Sequence, residues 1–294
     1  MRKGFSIRSR DRKARLAPGR YLAAVVFAIV LCALAFYHTK SNLAKETEEQ
    51  IGMISGSIAE TVDGAVASES AAIAMLARKE AVIRAVKERN AGSPGPKADL
   101  LQKELNGIQP LTEGRYEAIV VAGRDGVVLA DNVEGVARGS VIKAREPFRT
   151  AMQGKASLDK AVTSERTGTP VCILSHPVRD ENGRVIGAVA GEMKVSFLAA
   201  AIDGIRLGRT GHAYVVDHEG TAVVCPGSGK ILSRNLTDEP GMEAVIRRAA
   251  AGERGVLTYM HRGVPMYAGF VPVKTNGWSV LATVPADEMP YSFN

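Results

Sequence analysis

The sequence predicts an α+β fold in which a transmembrane helix leads into a long helix and then into two tandem modules, each built on an antiparallel sheet. Three observations support this prediction. Residues 21–39 form an apolar run, residues 41–90 carry apolar side chains at helical spacing, and the rest of the chain contains an internal repeat. We therefore expect a chain anchored in a membrane, with most of its residues outside it.

The repeat begins with two predicted β-hairpins. In the first copy the alternating run 116–121 is followed by the turn Asp125-Gly126 and by a second run, 127–130. In the second copy the run 212–217 is followed by Glu219-Gly220 and by the run 221–224. Alternating strands joined at an acidic residue and a glycine are typical of a hairpin.

A second pair of strands recurs in the same register. Gly126 and Gly220 are 94 residues apart, Pro170 and Pro265 are 95 apart, and the turns Asn182-Gly183 and Asn276-Gly277 are 94 apart. Asn-Gly turns reach positive φ at little cost, which favours tight hairpins. The sequence thus predicts two modules of one topology, at 97–200 and 201–288.

The positive charge of the chain is confined to its beginning. The formal net charge is +7, and residues 1–20 alone hold eight Lys or Arg and one Asp, so the other 274 residues are neutral overall. A domain that binds DNA or RNA spreads its basic residues over a folded face. The charge pattern therefore excludes nucleic acid as a partner and predicts a basic cytoplasmic tail over 1–20.

The segment 21–39 is long enough to cross a bilayer. Residues 21–37 carry no charge, and about 19 residues at 1.5 Å per residue match a hydrocarbon core of about 30 Å. The alternative is a signal sequence cleaved near Ala33-Leu34-Ala35, and the apolar run beyond that site favours an uncleaved anchor. Positive charge stays in the cytoplasm, which predicts a single-pass protein of the inner membrane with its bulk periplasmic or extracellular.

The segment 40–96 is predicted to be one long helix that could run alongside both modules. Its apolar residues recur every three or four positions until the breaker segment 91–96, and a shorter helix over about 97–106 precedes the first strand. The Ala and Gly content of the long helix suits close packing against a second copy of the chain.

The sequence offers weak candidates for catalysis. Cys172, His176 and Asp180 have the residue types of a catalytic triad, but residues four apart on a strand lie about 13 Å apart, beyond hydrogen-bond reach. The segment 226–231 lacks the leading glycine and the hydroxyl residue after the lysine that a phosphate loop requires.

The histidines and cysteines give no sign of a metal site or a disulfide. The five histidines have no paired spacing, so we expect no metal site and no cofactor. We interpret Cys172 and Cys225 as small core residues rather than as a disulfide.

The chain resembles the double Cache sensor domains of bacterial chemoreceptors, sensor histidine kinases and diguanylate cyclases. Four features over about 40–288 carry the resemblance: the long helix after the membrane span, Arg145-Glu146-Pro147-Phe148-Arg149-Thr150-Ala151 with Gly154, the stretch 180–187, and the stretch 208–217. The resemblance implies two PAS-like modules, a membrane-distal one that usually holds the ligand pocket and a membrane-proximal one. It also implies a homodimer through the long helix.

The resemblance further implies which residues bind. In amino-acid-sensing members an Arg, an aromatic pair and an acid hold the ligand carboxylate, and an Asp on the last distal strand takes the ammonium. Arg145 matches the Arg, Phe148 the second aromatic residue and Glu192 the late acid, whereas Pro147 replaces a Trp and Thr150 stands at the acid position.

Each candidate residue also has a purely structural interpretation. The planar fork of Arg145 suits a carboxylate, although Glu146 or Glu165 could simply pair with it. Glu192 interrupts an apolar run, so it faces either a polar cavity or solvent. Phe148 could belong to the core, Asp131 could bind an ammonium or form a turn, and Tyr116 could close the pocket or cap the core.

The sequence therefore predicts a membrane-anchored sensor, not an enzyme, that binds an amino acid or organic acid and signals across the membrane, most simply as a chemoreceptor. The alternative is an anchored scaffold that binds a partner and has a vestigial pocket. Family members enter a second membrane span after the positions that correspond to 285–288. We expect residues 289–294 to precede such a span and an output domain, neither of which lies in this sequence.

Overall fold

The computed structural model describes residues 18–92, 95–112, 114–225 and 235–289, and the side chains from residue 25 onward except that of residue 40. Residues 1–17 of the predicted basic tail and the whole loop 226–231 lie outside these ranges. The six α-helices described are α1 (Pro18–Ala77), α2 (Glu80–Asn90), α3 (Pro96–Thr112), α4 (Glu146–Met152), α5 (Val195–Asp203) and α6 (Glu243–Ala250). Short 3₁₀ turns follow at Leu236–Asp238 and Ala286–Glu288.

Helix α1 is the one helix in the described part of the chain that is long and apolar enough to cross a membrane. Its residues 25–37 are exposed to the surroundings. Length and composition are thus as expected for the span at 21–39. The chain divides at Glu46 into two units, and residues from Thr47 onward form the larger.

The prediction of one long helix over 40–96 was wrong at its C-terminal part. Helix α1 ends at Ala77, and α2 begins at Glu80. The amides of Arg78 and Lys79 bond to carbonyls three residues back, which tightens the last turn, and Lys79 is extended at φ −62° and ψ 136°. The linking residues include neither Gly nor Pro, so the sequence carries no breaker signal there.

The first module contains a six-stranded antiparallel sheet. Its strands are β1 (Tyr116–Gly123), β2 (Val128–Asp131), β3 (Ser157–Leu158), β4 (Val162–Thr163), β5 (Pro170–Arg179) and β6 (Val185–Lys194). The order is β2-β1-β6-β5-β3, and β4 also pairs with β5. The hairpins predicted at Asp125-Gly126 and Asn182-Gly183 are confirmed.

The second module repeats this topology. Its strands are β7 (His212–Val216), β8 (Ala222–Val224), β9 (Gly255–His261), β10 (Val264–Pro272) and β11 (Ser279–Pro285), in the order β8-β7-β11-β10-β9. Each strand has the same neighbours as its counterpart in the first sheet. The two-module prediction is therefore confirmed at the level of topology.

Helix α1 packs on one face of both sheets, which confirms that it runs alongside both modules. In the first sheet a Cβ on Gly191 would meet Ile73 of the helix. In the second, a Cβ on Gly269 would meet Ser55 and Ile51. Glycine at these central strand positions lets the helix approach the backbone closely.

Side chains alternate along each strand, so the helix-facing and opposite faces carry different residues. In the first module Ile119, Val121 and Leu174 belong to the core shared with α1. Ala118, Val120 and Ile173 belong to a separate cluster on the other face. That second face is the one that carries the candidate site.

Candidate ligand-binding site

A cavity of about 530 Å³ opens on the face of the first sheet that is turned away from α1. Strands β1, β5 and β6 supply its floor, and two segments supply its walls: residues 137–147, which lead into α4, and residues 159–166 around β4. The lining combines apolar and charged residues, namely Ala118, Val120, Val128, Ala137, Ser140, Ile142, Arg145, Glu146, Pro147, Asp159, Val162, Thr163, Ser164, Glu165, Arg166, Val171, Ile173 and Glu192.

In the described part of the second module, side chains occupy the face that corresponds to the cavity face of the first module. Glu192 pairs with Ala118 on β1 and with Ile173 on β5, and Thr283 holds the equivalent place between His212 and Ala268. Aromatic side chains fill the corresponding space. The side chain of Tyr259 hydrogen-bonds Thr283, burial raises the pKa of its hydroxyl to about 12, and Phe270 is completely buried in the same cluster. Small residues in the first module leave the equivalent volume empty of side chains.

Arg145 stands at the mouth of the cavity as the residue that precedes α4. Its extended backbone (φ −73°, ψ 135°) ends the loop, and Pro147 occupies the first turn of the helix, where a missing amide costs nothing. The guanidinium lies 3.8 Å from Glu165 Oε2 and 3.8 Å from Glu192 Oε1. Both distances exceed the 2.7–3.2 Å of a hydrogen bond, so the fork of Arg145 is available to a ligand carboxylate.

Glu192 lies deeper, on the central strand β6, with 23 % of its side chain exposed. Burial raises the pKa of its carboxyl, the nearby Glu117 raises it further, and Arg145 and Arg166 oppose the shift. A carboxylate in this environment lacks a full counter-charge. An ammonium group of a ligand would supply one.

Glu117 and Arg166 form an ion pair beside Glu192. Glu117 sits at a β-bulge between Tyr116 and Ala118, where the register of β1 against β6 shifts. It accepts hydrogen bonds from Ser164 Oγ (2.8 Å) and Thr167 Oγ1 (2.7 Å), and Arg166 Nη2 lies 3.0 Å from its Oε1. The positive charge of Arg166 is therefore already paired, which leaves Arg145 as the cation open to a ligand.

Of the five residues predicted from the sequence, Arg145 and Glu192 come together in this cavity and three lie elsewhere. Phe148 is buried in the cluster beneath the cavity floor. Asp131 is fully buried and accepts the amides of Val133, Gly135 and Ala137 at 2.7–2.9 Å, which is a turn-forming role. Tyr116 points to the opposite face, where burial raises the pKa of its hydroxyl and its ring lies against Gly191.

The residues considered for a triad are each engaged separately. Cys172 is a buried thiol in the core, and burial raises its pKa. His176 Nε2 lies 2.9 Å from Ser70 Oγ of α1, and burial lowers its pKa. The carboxylate of Asp180 accepts the amides of Asn182 and Arg184 in the hairpin turn.

Sequence reasoning missed the wall formed by 159–166. Asp159, Ser164 and Arg166 line the cavity, but they flank strands of two residues, which are too short to give a periodic pattern. Their positions follow from pairing with β5, where Asp159 donates its amide to the Ile173 carbonyl at 3.0 Å.

Two tandem sheets of one topology, packed on a common helix and with a charged cavity in one of them, define the class of small-molecule-binding sensor domains. The Cache domain model dCache_1 matches residues 39–292. The chain belongs to the Cache domain family, which is a family of ligand-binding sensors.

One relative of the chain is a chemotaxis protein. The methyl-accepting chemotaxis protein McpA of Pseudomonas putida is 26 % identical over 117 residues, which are 39 % of this chain and 18 % of that protein. The chain thus matches under a fifth of the length of this curated relative.

Solved structures of similar fold include two chemoreceptor ligand-binding domains. The domain of PctB from Pseudomonas aeruginosa in complex with L-Arg has a TM-score of 0.63 and 18 % identity, with coverage of 85 % of this chain and 100 % of that one. The domain of Tlp3 from Campylobacter jejuni in complex with 4-methylisoleucine has a TM-score of 0.66 and 13 % identity, with coverage of 87 % and 98 %. At these identities the likeness establishes the fold.

Proposed function

We propose that this chain is the sensor region of a chemoreceptor-type protein and that the cavity of its first module binds a small amino acid or organic acid. One observation carries the proposal. Arg145 and Glu192 face a common cavity and stand 3.8 Å apart, too far for a hydrogen bond. A cation for a carboxylate and an anion for an ammonium are thereby presented side by side, and a ligand with both groups satisfies both residues.

The proposed function is binding without chemical conversion. The similar chemoreceptor domains whose structures hold L-Arg or 4-methylisoleucine support an amino acid as the first class to test. The scaffold alternative expects Arg145 and Glu192 on separate surfaces, and their common cavity favours sensing instead.

A ligand in this cavity could act on the second module through the wall 159–166. Lys160 follows the cavity residue Asp159, and its Nζ lies 3.5 Å from Glu219 Oε2 in the β7–β8 turn. A ligand that contacts the wall more favourably in one conformation shifts the balance between conformations. We propose that this shift passes toward a membrane that α1 spans at residues 21–39, with the modules periplasmic and the chain in the inner membrane.

The test is thermal unfolding of the full chain in nanodiscs against a panel of amino acids, organic acids and amines. A ligand at 100 times its dissociation constant stabilises the folded state by about 2.7 kcal/mol, which is a clear shift in the melting temperature. We expect Arg145→Ala to abolish the shift of any hit. Arg84→Ala is the matched control, because Arg84 lies on α2, is exposed and pairs with Glu80 away from the cavity.

A hit that survives Arg145→Ala would contradict the proposed site. No shift with any compound would favour the scaffold.

A further inference from the structure

We infer that the cavity is selective for a ligand that carries a second cationic group at the end of an aliphatic chain, such as a dibasic amino acid, and that Asp159 binds this group. The inference rests on the proposed function, because it assumes that Arg145 and Glu192 hold the amino-acid end of the ligand.

The charges of the cavity wall are not balanced. Four acids and two arginines line it: Glu146, Asp159, Glu165, Glu192, Arg145 and Arg166. Glu146 pairs with Arg149, and Arg166 pairs with Glu117. The Glu165 side chain is 91 % exposed to solvent, so Asp159, Glu192 and Arg145 remain as the charged groups within the cavity, a formal charge of −1. A zwitterion leaves that charge unchanged, whereas a ligand with one further positive charge reduces it.

Asp159 is the carboxylate placed to meet a second cation. Its Oδ1 accepts the amide of Lys160 at 2.9 Å. Among the described residues no Lys, Arg or His forms an ion pair with it, since the Lys160 side chain turns to Glu219. The Asp159 carboxylate is half-buried in the cavity wall with capacity to accept further hydrogen bonds.

The sheet fixes the separation between Asp159 and Glu192. Asp159 donates its amide to Ile173, and Ile173 is the partner of Glu192 across β5 and β6. The Cα atoms of Asp159 and Glu192 therefore stand about two strand spacings apart, or roughly 10 Å, and both side chains lie on the cavity face of the sheet. Ile173 lies between them, and Val171 and Val162 line the cavity nearby. An aliphatic stem of three or four methylenes can lie along such an apolar floor and present its cation at the far end.

The test compares L-lysine with L-norleucine, which has a similar chain without the terminal ammonium, by isothermal titration calorimetry on the full chain in nanodiscs. L-Ornithine and L-arginine extend the series. We expect L-lysine to bind at least about tenfold more tightly than L-norleucine, because a hydrogen bond to a charged group contributes at least that factor. In Asp159→Asn the preference should fall to near unity, while the affinity for L-norleucine changes less than about threefold.

Asp180→Asn is the control, because Asp180 also accepts backbone amides but lies in the β5–β6 turn outside the cavity. It should keep the preference for L-lysine. An equal or higher affinity for L-norleucine, or a preference that persists in Asp159→Asn, would overturn this inference and leave the amino-acid site standing. Absence of binding by every member of the series would overturn the amino-acid site and this inference with it.

Discussion

The guanidinium of Arg145 and the carboxylate of Glu192 lie side by side in the first-module cavity, 3.8 Å apart. At this distance they attract each other but form no hydrogen bond. A ligand that carries a carboxylate and an ammonium replaces one loose ion pair with two charge-assisted contacts. The 3.8 Å separation explains how both groups stay available to a ligand in the empty site.

Removing the Glu192 charge should stabilise the ligand-free protein. The pKa of Glu192 is raised by burial and by Glu117, so the folded state holds its proton more tightly than the unfolded state does. Stability should therefore fall as pH rises through the raised pKa. We expect Glu192→Gln to be more stable than the native chain at pH 7–8 in thermal unfolding. The difference should vanish below about pH 4, where the unfolded carboxyl is protonated too.

Glu165→Gln is the control for that experiment, because the Glu165 side chain is 91 % exposed and should give no such difference. A native chain that is more stable than Glu192→Gln at pH 8 would mean that the pair with Arg145 outweighs the burial of the charge.

Asp131 should prove to be structural. Asp131→Ala leaves the amides of Val133, Gly135 and Ala137 without their acceptor, which should cost at least about 2 kcal/mol in urea unfolding. Asp131 does not line the cavity but holds the amide of Ala137 in its wall, so any loss of affinity should be equal for an amino acid and for its deamino analogue. Asp180→Ala, in an exposed turn, should cost under about 1 kcal/mol. A loss of affinity confined to ligands that carry an ammonium group would restore the sequence hypothesis that Asp131 takes an ammonium.

The aromatic filling of the second module should contribute to stability rather than to binding. Phe270 is completely buried, and Arg248 lies over its ring at 5.1 Å. Phe270→Ala should cost about 3–5 kcal/mol of unfolding free energy through the space it leaves. Met260→Ala on β9, which is 55 % exposed, is the small-effect control. A loss below about 1 kcal/mol for Phe270→Ala would show that this face is not tightly packed.

The outward face of α1 should mediate dimerisation. Met53 and Met75 are 67 % and 71 % exposed, and the space around Gly64 between them is open. In a background of Cys32→Ser and Cys225→Ser, Gly64→Cys should form an intermolecular disulfide in membranes. Lys103→Cys, which is exposed on α3, should not. Equal cross-linking at both positions, or at neither, would contradict a dimer through this helix.

The sequence predicted the fold well because hairpin turns and alternation are local signals. The Asn-Gly turns and the 94-residue offset placed two hairpins in each module where the structure has them. The break at Arg78 was missed because no breaker residue stands there and apolar residues keep a helical spacing across it, from Leu76 to Ile83 and Val86. For the site, Arg145 and Glu192 were predicted through the family resemblance. Asp159 was not, since its position depends on pairing with Ile173, a contact between distant parts of the chain.

The most direct test of the account is calorimetric titration of one bound amino acid beside its deamino and decarboxylated analogues, using the native chain, Arg145→Ala and Glu192→Gln. We predict a crossed pattern. Arg145→Ala should lose affinity for the amino acid and the deamino analogue but little for the decarboxylated one, and Glu192→Gln should do the reverse, each loss being at least about tenfold. Equal losses for both analogues in both variants, or no loss in either, would contradict the claim that Arg145 binds the carboxylate and Glu192 the ammonium.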